Sequence, residues 1–565
     1  MSLYILDYGA GNVQSLANSL TRLGYAFEWI STPDDFHKAS SIVFPGVGAF
    51  HTAVEHLRAR ALWDPLRQYI QSGKPYFGIC VGLQVLFQSS AESPGSIGLG
   101  IIPSPIQRFD DTSKAVPHMG WNTAQLFPSE PSSSSSSITS PSNHYYFVHS
   151  FRAPYDPEKY PEAASWAHAT TQYGQEVFIS VVRRGNVFGT QYHPEKSGQA
   201  GLDVLREWLD QTDVQRTAAP PTNPIPRPPQ PRDGLTKRVI ACMDVRSNDA
   251  GDLVVTKGDQ YDVREKPNQG CPSSTALTQE TAGTVRNLGK PVVLAERYAA
   301  SGADELALLN ITSFRRSPLH DQPMIAVVRA AAARVFVPLT IGGGITDSVD
   351  PDGTHRPALE VAGAYFRAGA DKVSIGSDAV RAVERLRANS NVLDGTSAIE
   401  TIARAYGNQA VVVSIDPRRA FVDPGYTGPH AGEIVRGGPG DGEDADKAWW
   451  YQCTVSGGRE ARDLSVVELA QGAEKLGAGE LLVNSIDRDG TGRGFDHALL
   501  SLVRRAVRIP VVASSGAGSA AHFVDVFRET GVEAALAAGI FHREEVRIED
   551  VKRALADAGI STRAS

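Results

Sequence analysis

Two regimes of apolar and polar residues follow one another along the chain. In the first, short apolar runs alternate with helical patterns. LYILDYG (3–9) leads to a helix near Val13–Leu23, SIVFPGVG (41–48) to one near Phe50–Leu57, and PYFGIC (75–80) directly into GLQVLFQ (82–88). Strands alternating with helices predict an α/β domain on an open parallel sheet. This regime ends on the helix-like GLDVLREWLDQT (201–212). PPTNPIPRPPQP (220–231) follows, a proline density that favours polyproline II and reads as a semi-rigid spacer. The boundaries expected are a first domain over 1–212, a linker over 213–234 and a second domain over 235–565.

The second regime repeats itself. VIACMDV (239–245) is echoed by VVVSIDP (411–417), and ADELALLNI (303–311) by AGELLVNSI (478–486). VPLTIGGGI (337–345) is echoed by IPVVASSGAG (509–518), and GADKVSIGS (369–377) by GVEAALAAG (531–539). The order is the same in both halves. Four βα units occurring twice predict a (β/α)8 barrel built from two half-barrels. Two tracts, 129–143 and 436–447, are too polar to bury apolar area and are expected to be solvated surface insertions.

Composition narrows the function. With 565 residues the chain needs more than one core. Lys+Arg 55 against Asp+Glu 63 leaves a net charge of −8, which argues against a nucleic-acid surface as the main business. The four cysteines, Cys80, Cys242, Cys271 and Cys453, show no CxxC spacing, so neither a disulfide framework nor a metal site is expected. MSLYILDYGAGN lacks the basic start of a targeting peptide, and no apolar run approaches the ~18 residues of a membrane span. A cytoplasmic protein with small-molecule substrates and no cofactor is expected, with no membrane partner.

In a (β/α)8 barrel, chemistry sits at the C-terminal ends of the strands. Asp244 and Asp416 end strands 1 and 5, opposite one another across the mouth, where two carboxylates suit paired acid and base work. Either aspartate could instead cap a following helix, but Val245 and Pro417 do not resemble helix starts. Glycine-rich turns end strands 3 and 4 (Gly343, Gly344; Ser374, Gly376) and strands 7 and 8 (Ser515, Gly516; Ala538, Gly539). Such turns bring backbone N–H groups close to an anion. Because the pair is repeated, the ligand expected is elongated, with a phosphate at each end. SIDRDGTGRG (485–494), carrying Asp489, Gly490 and Thr491, reads as a substrate-gripping loop, and VVTKGDQYDVRE (254–265), carrying Lys257, as a lid.

In the first domain, GICVGLQ sets Cys80 between a strand and a helix. A tight turn there would push the thiol outward, towards the helix N-terminus. Alone, the pattern suits a buried core cysteine almost as well. GTQYHPEKS (189–197) changes the balance: His193 ends a strand, and Pro194 is expected to keep the chain extended so that Glu195 stands behind the imidazole. Thiol, imidazole and carboxylate make a triad by role. Backbone N–H groups near Val47 and Gly48 in PGVGAF (45–50), with that of Val81, are expected to form an oxyanion hole.

GICVGLQ and YHPEKS resemble the class I glutamine amidotransferases. DYGAGNVQSL, PGVGAF, PHMGWN (117–122) and YYFVHSF (145–151) narrow the resemblance to the glutaminase of the imidazole glycerol phosphate synthase family. ACMDVR, IGGGI, ADKVSIG, SIDRDGTGRG and FHREE (541–545) resemble its cyclase, and their fusion resembles the fungal and plant bifunctional form. The resemblance covers nearly the whole chain and implies that ammonia freed from glutamine crosses the barrel to meet the bis-phosphorylated substrate PRFAR. The products implied are imidazole glycerol phosphate and AICAR. It assigns Cys80, His193 and Glu195 to the hydrolytic triad, and places Gln84, His149, Ser150 and Phe151 near glutamine. It makes Asp244 and Asp416 the cyclase acid–base pair assisted by Lys257, and Arg238, Glu305, Lys372 and Glu480 a charged gate. Trp121 is placed at the domain interface, and fusion of both activities implies a monomer. Ser515 departs from the glycine of many members, and Gly376 from the larger residue of bacterial ones. A related two-phosphate isomerase barrel would have no use for an attached triad. A decayed scaffold protein would have lost some of these five residues.

Overall fold

The computed structural model describes residues 2–563, apart from residues 10, 47, 128–139, 141, 248–252, 257–290, 312–318, 320, 321 and 439–441. The first domain is built on an eight-stranded sheet. Five strands are parallel, in the order 28–30, 3–6, 41–44, 76–79 and 187–190. The other three, 176–184, 167–173 and 125–126, continue it antiparallel. Here the structure departs from the expected all-parallel sheet, and the reason is local. Two-residue turns led by Gly174 and Gly185, each at φ +58, fold this part as hairpins instead of crossovers.

The barrel closes. Strands 238–247, 305–310, 339–342, 372–375, 411–415, 480–484, 511–514 and 534–537 pair in parallel, and the last pairs with the first. Four of them, 339–342, 372–375, 511–514 and 534–537, are buried along their whole length, as strands covered on both faces must be. Reciprocal capping boxes, Ser397 with Glu400 and Ser465 with Glu468, start two of the outer helices. Between strand 5 and its helix lies an antiparallel meander, 417–422, 448–455 and 460–465, with 435–436 at its edge. The 436–447 tract is therefore not wholly solvated, since Asp444 is ion-paired to Arg419. Most of the serine tract lies outside the described residues.

The linker is a strap, not a spacer. Tyr155 Oη donates to the Ile225 carbonyl, and Gln172 and Gln230 bond reciprocally. Arg227 lies 3.8 Å over the Phe127 ring and donates to the Gln125 carbonyl and Thr170 Oγ1. Prolines lack N–H groups, so docking falls to carbonyls and to side chains between the prolines.

The two domains share a buried seam. Trp121 and Tyr146 of the first domain belong to the barrel's core, and Trp121 Nε1 donates to the Asp304 carbonyl. Arg563 covers the same indole at 4.2 Å. Lys196 pairs with Asp371 at 2.7 Å, and Asn12 donates to that carboxylate at 2.8 Å. This seam closes the first domain over the N-terminal ends of the barrel strands.

Candidate active site

Strand 76–79 ends at Cys80, and a short helix, 81–84, begins at the next residue. Cys80 sits at φ +49, ψ −103, a conformation that costs a non-glycine residue about 1–3 kcal/mol and turns its side chain out of the sheet. The neighbouring glycines are needed for contact. A Cβ on Gly78 would lie 2.3 Å from the Gly82 carbonyl oxygen, and one on Gly82 would lie 2.3 Å from that of Phe44.

His193 and Cys80 face the same cavity, and His193 Nδ1 lies 2.8 Å from Glu195 Oε1. Burial opposes charge on this imidazole, but Glu195 and Cys80 outweigh it and hold its pKa well above the usual histidine value. The segment does not stay extended as expected. Pro194–Lys196 is a 3₁₀ turn, because proline's fixed φ suits a first helical position, and the turn swings Glu195 behind the ring. Gln191 Nε2, which the sequence reading missed, lies 3.4 Å from Cys80 Sγ. Gln84 donates to the Gln191 amide oxygen and to the Phe151 carbonyl. His149 Nδ1 lies 2.8 Å from that carbonyl, and the Ser150 carbonyl accepts from Phe109 N–H. Burial pushes His149 down to about 3, against the pull of the Phe151 carbonyl, so the ring is neutral at pH 7. The backbone of Gly46 lies against Ile79 and the Val81 N–H, and Gly48 stands near Tyr8 and the barrel's Ala405 carbonyl. Val47 lies outside the described residues.

A cavity of about 50 Å³ connects the domains, bounded by Cys80, His193 and Gly48 on one side and by Asp371, Lys372 and Gln409 on the other. Its barrel wall includes Lys372, one member of a buried ion ring. Arg238 bonds Glu305 at 2.8 Å and Glu480 at 2.5 Å, and Lys372 bonds both carboxylates at 2.6 Å. All four are buried. Two cations and two anions satisfy one another there, and removing any one would strand a buried charge.

At the other end of the barrel, the mouth holds two cavities. One, of about 390 Å³, gathers Asp244 with Asp489, Gly490, Thr491, Ser515, Gly516, Ala538 and Gly539. The second, of about 810 Å³, gathers Asp416 with Gly343, Gly344, Ser374 and Gly376. Each thus holds one of the two aspartates expected to form the acid–base pair, and one glycine-rich pair of turns. Ser515 is at φ +75, a backbone region that favours glycine. Burial raises the Asp416 pKa, opposed by Asn484, whose Nδ2 donates to the carboxylate at 2.8 Å. Asn484 was not singled out in the sequence, although it occupies the strand 6 end within AGELLVNSI. Asp244 does not end its strand. The strand runs to Ser247 and pairs beyond the barrel with 253–256. Lys257 lies outside the described residues.

Residues 4–211 match the family described as glutamine amidotransferase class-I, and residues 238–547 the family described as histidine biosynthesis protein. The imidazole glycerol phosphate synthase hisHF of Emericella nidulans is 50% identical over 563 residues, spanning 100% of this chain and 99% of that protein. That of Schizosaccharomyces pombe is 51% identical, covering 98% of each. The chain belongs to the imidazole glycerol phosphate synthase hisHF family. It is a bifunctional enzyme of histidine biosynthesis, with a glutaminase and a cyclase domain in one chain. An Arabidopsis thaliana member, named as chloroplastic, is 50% identical over 99% of this chain and 89% of its own length. Among the described residues no helix is long and apolar enough to cross a membrane.

Proposed function

We propose that hydrolysis at Cys80 and cyclisation at the barrel mouth are linked by ammonia passing inside the protein. The observation that carries this reading is that the Cys80 cavity reaches the ion ring at Lys372, at the closed end of the barrel, with both aspartates at the open end. His193 takes the Cys80 proton, and the thiolate adds to the side-chain amide carbon of glutamine. Val81 N–H and the N–H groups near Val47 and Gly48 receive the oxyanion. Imidazolium returns the proton as ammonia leaves, and water releases glutamate from the thioester. Glu195 holds the imidazole, while Gln84 and the 149–151 turn hold glutamine. The ion ring of Arg238, Glu305, Lys372 and Glu480 parts to admit ammonia.

PRFAR spans the mouth, one phosphate at the strand 3–4 glycines and the other at the strand 7–8 glycines with Asp489, Gly490 and Thr491. Burial keeps Asp416 protonated longer than an ordinary carboxyl, which suits the acid, with Asp244 as base and Lys257 assisting. The units taken are 1–212, 213–234 and 235–565, acting as a cytoplasmic monomer without nucleic acid.

The test is stoichiometric. Purified chain given glutamine and PRFAR is expected to form glutamate, imidazole glycerol phosphate and AICAR in equal amounts, followed by chromatography. Glutamate release with PRFAR untouched would assign the barrel to a different ammonia-using reaction.

A further inference from the structure

The meander inserted after strand 5 runs from the loop after strand 6 to the helix after strand 4. At its base, Arg419 lies 4.2 Å over the Trp449 ring and pairs with Asp444 at 3.0 Å and Asp496 at 3.4 Å. Tyr451 Oη donates to Asp496 at 2.8 Å, and Arg419 N–H donates to Asp487 at 2.8 Å. These bonds anchor it to the loop after strand 6. Its far tip is the turn Ser456–Gly457–Gly458, three consecutive residues at φ +58, +67 and +82, which leads into Arg459. Ser456 N–H donates to Ser377 Oγ at 3.0 Å. Ser377 opens the helix after strand 4, so the tip is pinned to the strand 3–4 end of the mouth.

Charge shows what this end needs. Its cavity is lined by three carboxylates, Asp347, Asp378 and Asp416, and by two guanidiniums, Arg381 and Arg459. Asp347 accepts the Ala358 N–H, and Arg381 is paired with Asp378 one helical turn away. A phosphate seated on Gly343 and Gly344 would face those carboxylates, and backbone N–H groups carry only partial charge to set against them. Arg459 is the guanidinium brought to this rim by the meander. The opposite cavity has a matching layout, with Arg543 leaning over Gly539 so closely that a Cβ there would sit 2.7 Å from Nη1.

We propose that Arg459 is a substrate-binding residue that takes the phosphate at the strand 3–4 end, and that the meander serves to deliver it. Guanidinium and phosphate match as a two-pronged, charge-assisted pair. The inference rests on the bis-phosphate reading of the mouth.

Its test is steady-state cyclisation with saturating ammonium salt, comparing the parent protein with Arg459→Gln and Arg459→Lys. Arg459→Gln is expected to raise the KM for PRFAR about 10- to 100-fold, as loss of a charge-assisted phosphate contact should, while kcat changes less than about 3-fold. Lysine is expected to restore part of the affinity, as a point charge without the fork. Glutaminase activity without barrel ligand should match the parent in both variants, which also reports an intact fold. A parental KM in Arg459→Gln overturns this inference alone. Failure of the parent itself to convert PRFAR overturns the bis-phosphate reading beneath it.

Discussion

Cys80→Ala is expected to lose glutamine-dependent turnover by at least about 10⁴-fold while turnover driven by ammonium salt stays within about 2-fold of the parent. The expectation follows from the separation of the two sites. His193, held well above its usual pKa by Glu195 and Cys80, is placed to draw the thiol proton, and no other thiol lines the Cys80 cavity among the described residues. Alanine keeps a Cβ at the strained elbow, so the Gly78–Gly82 contacts beneath it are unchanged and the fold should hold. Added ammonia reacts with substrate beyond the ion ring, where Cys80 makes no contact. Loss of both reactions in a folded variant would contradict the division of labour between the domains. The assay is paired: glutamate release against product formation at high ammonium concentration.

Asp416→Asn should have the reverse signature. Asparagine keeps the shape and the contact with Asn484, but it cannot deliver a proton. Cyclisation is expected to fall about 10²- to 10⁴-fold with either nitrogen source, as for loss of a positioned general acid. Basal glutamine hydrolysis should be unchanged, because the ion ring and the domain seam lie between the carboxylate and Cys80. Cyclisation within 10-fold of the parent would remove Asp416 from the chemistry.

What the sequence revealed and what it hid divide by the range of the contacts involved. The elbow and its base were legible because each is a short run with a local conformational reason. GICVGLQ carries its own glycines, and YHPEKS its own carboxylate two residues from the histidine. The barrel was legible because four motifs recur in order, so repetition supplied the long-range information that a single strand lacks. The antiparallel half of the first sheet was less so. AHATTQY and EVFISVVRR look like any buried strands, and only the glycine turns decide their direction. Gln191, Asn484 and Arg459 were missed for another reason. Each is an ordinary polar residue whose partner, Cys80, Asp416 or the strand 3–4 cavity, lies distant in sequence. The linker misled by composition. Proline density predicts stiffness, but Arg227 on Phe127 and Gln230 on Gln172 depend on a surface built elsewhere in the chain.

The central claim is that ammonia made at Cys80 reaches the barrel mouth without entering solvent. Turnover of PRFAR with amide-¹⁵N glutamine, in buffer holding excess ¹⁴N ammonium at a pH where free ammonia is scarce, tests it directly by mass spectrometry of the imidazole product. The account predicts ¹⁵N in nearly every product molecule whatever the external ammonium concentration. Label that dilutes in proportion to added ¹⁴N ammonium would contradict it.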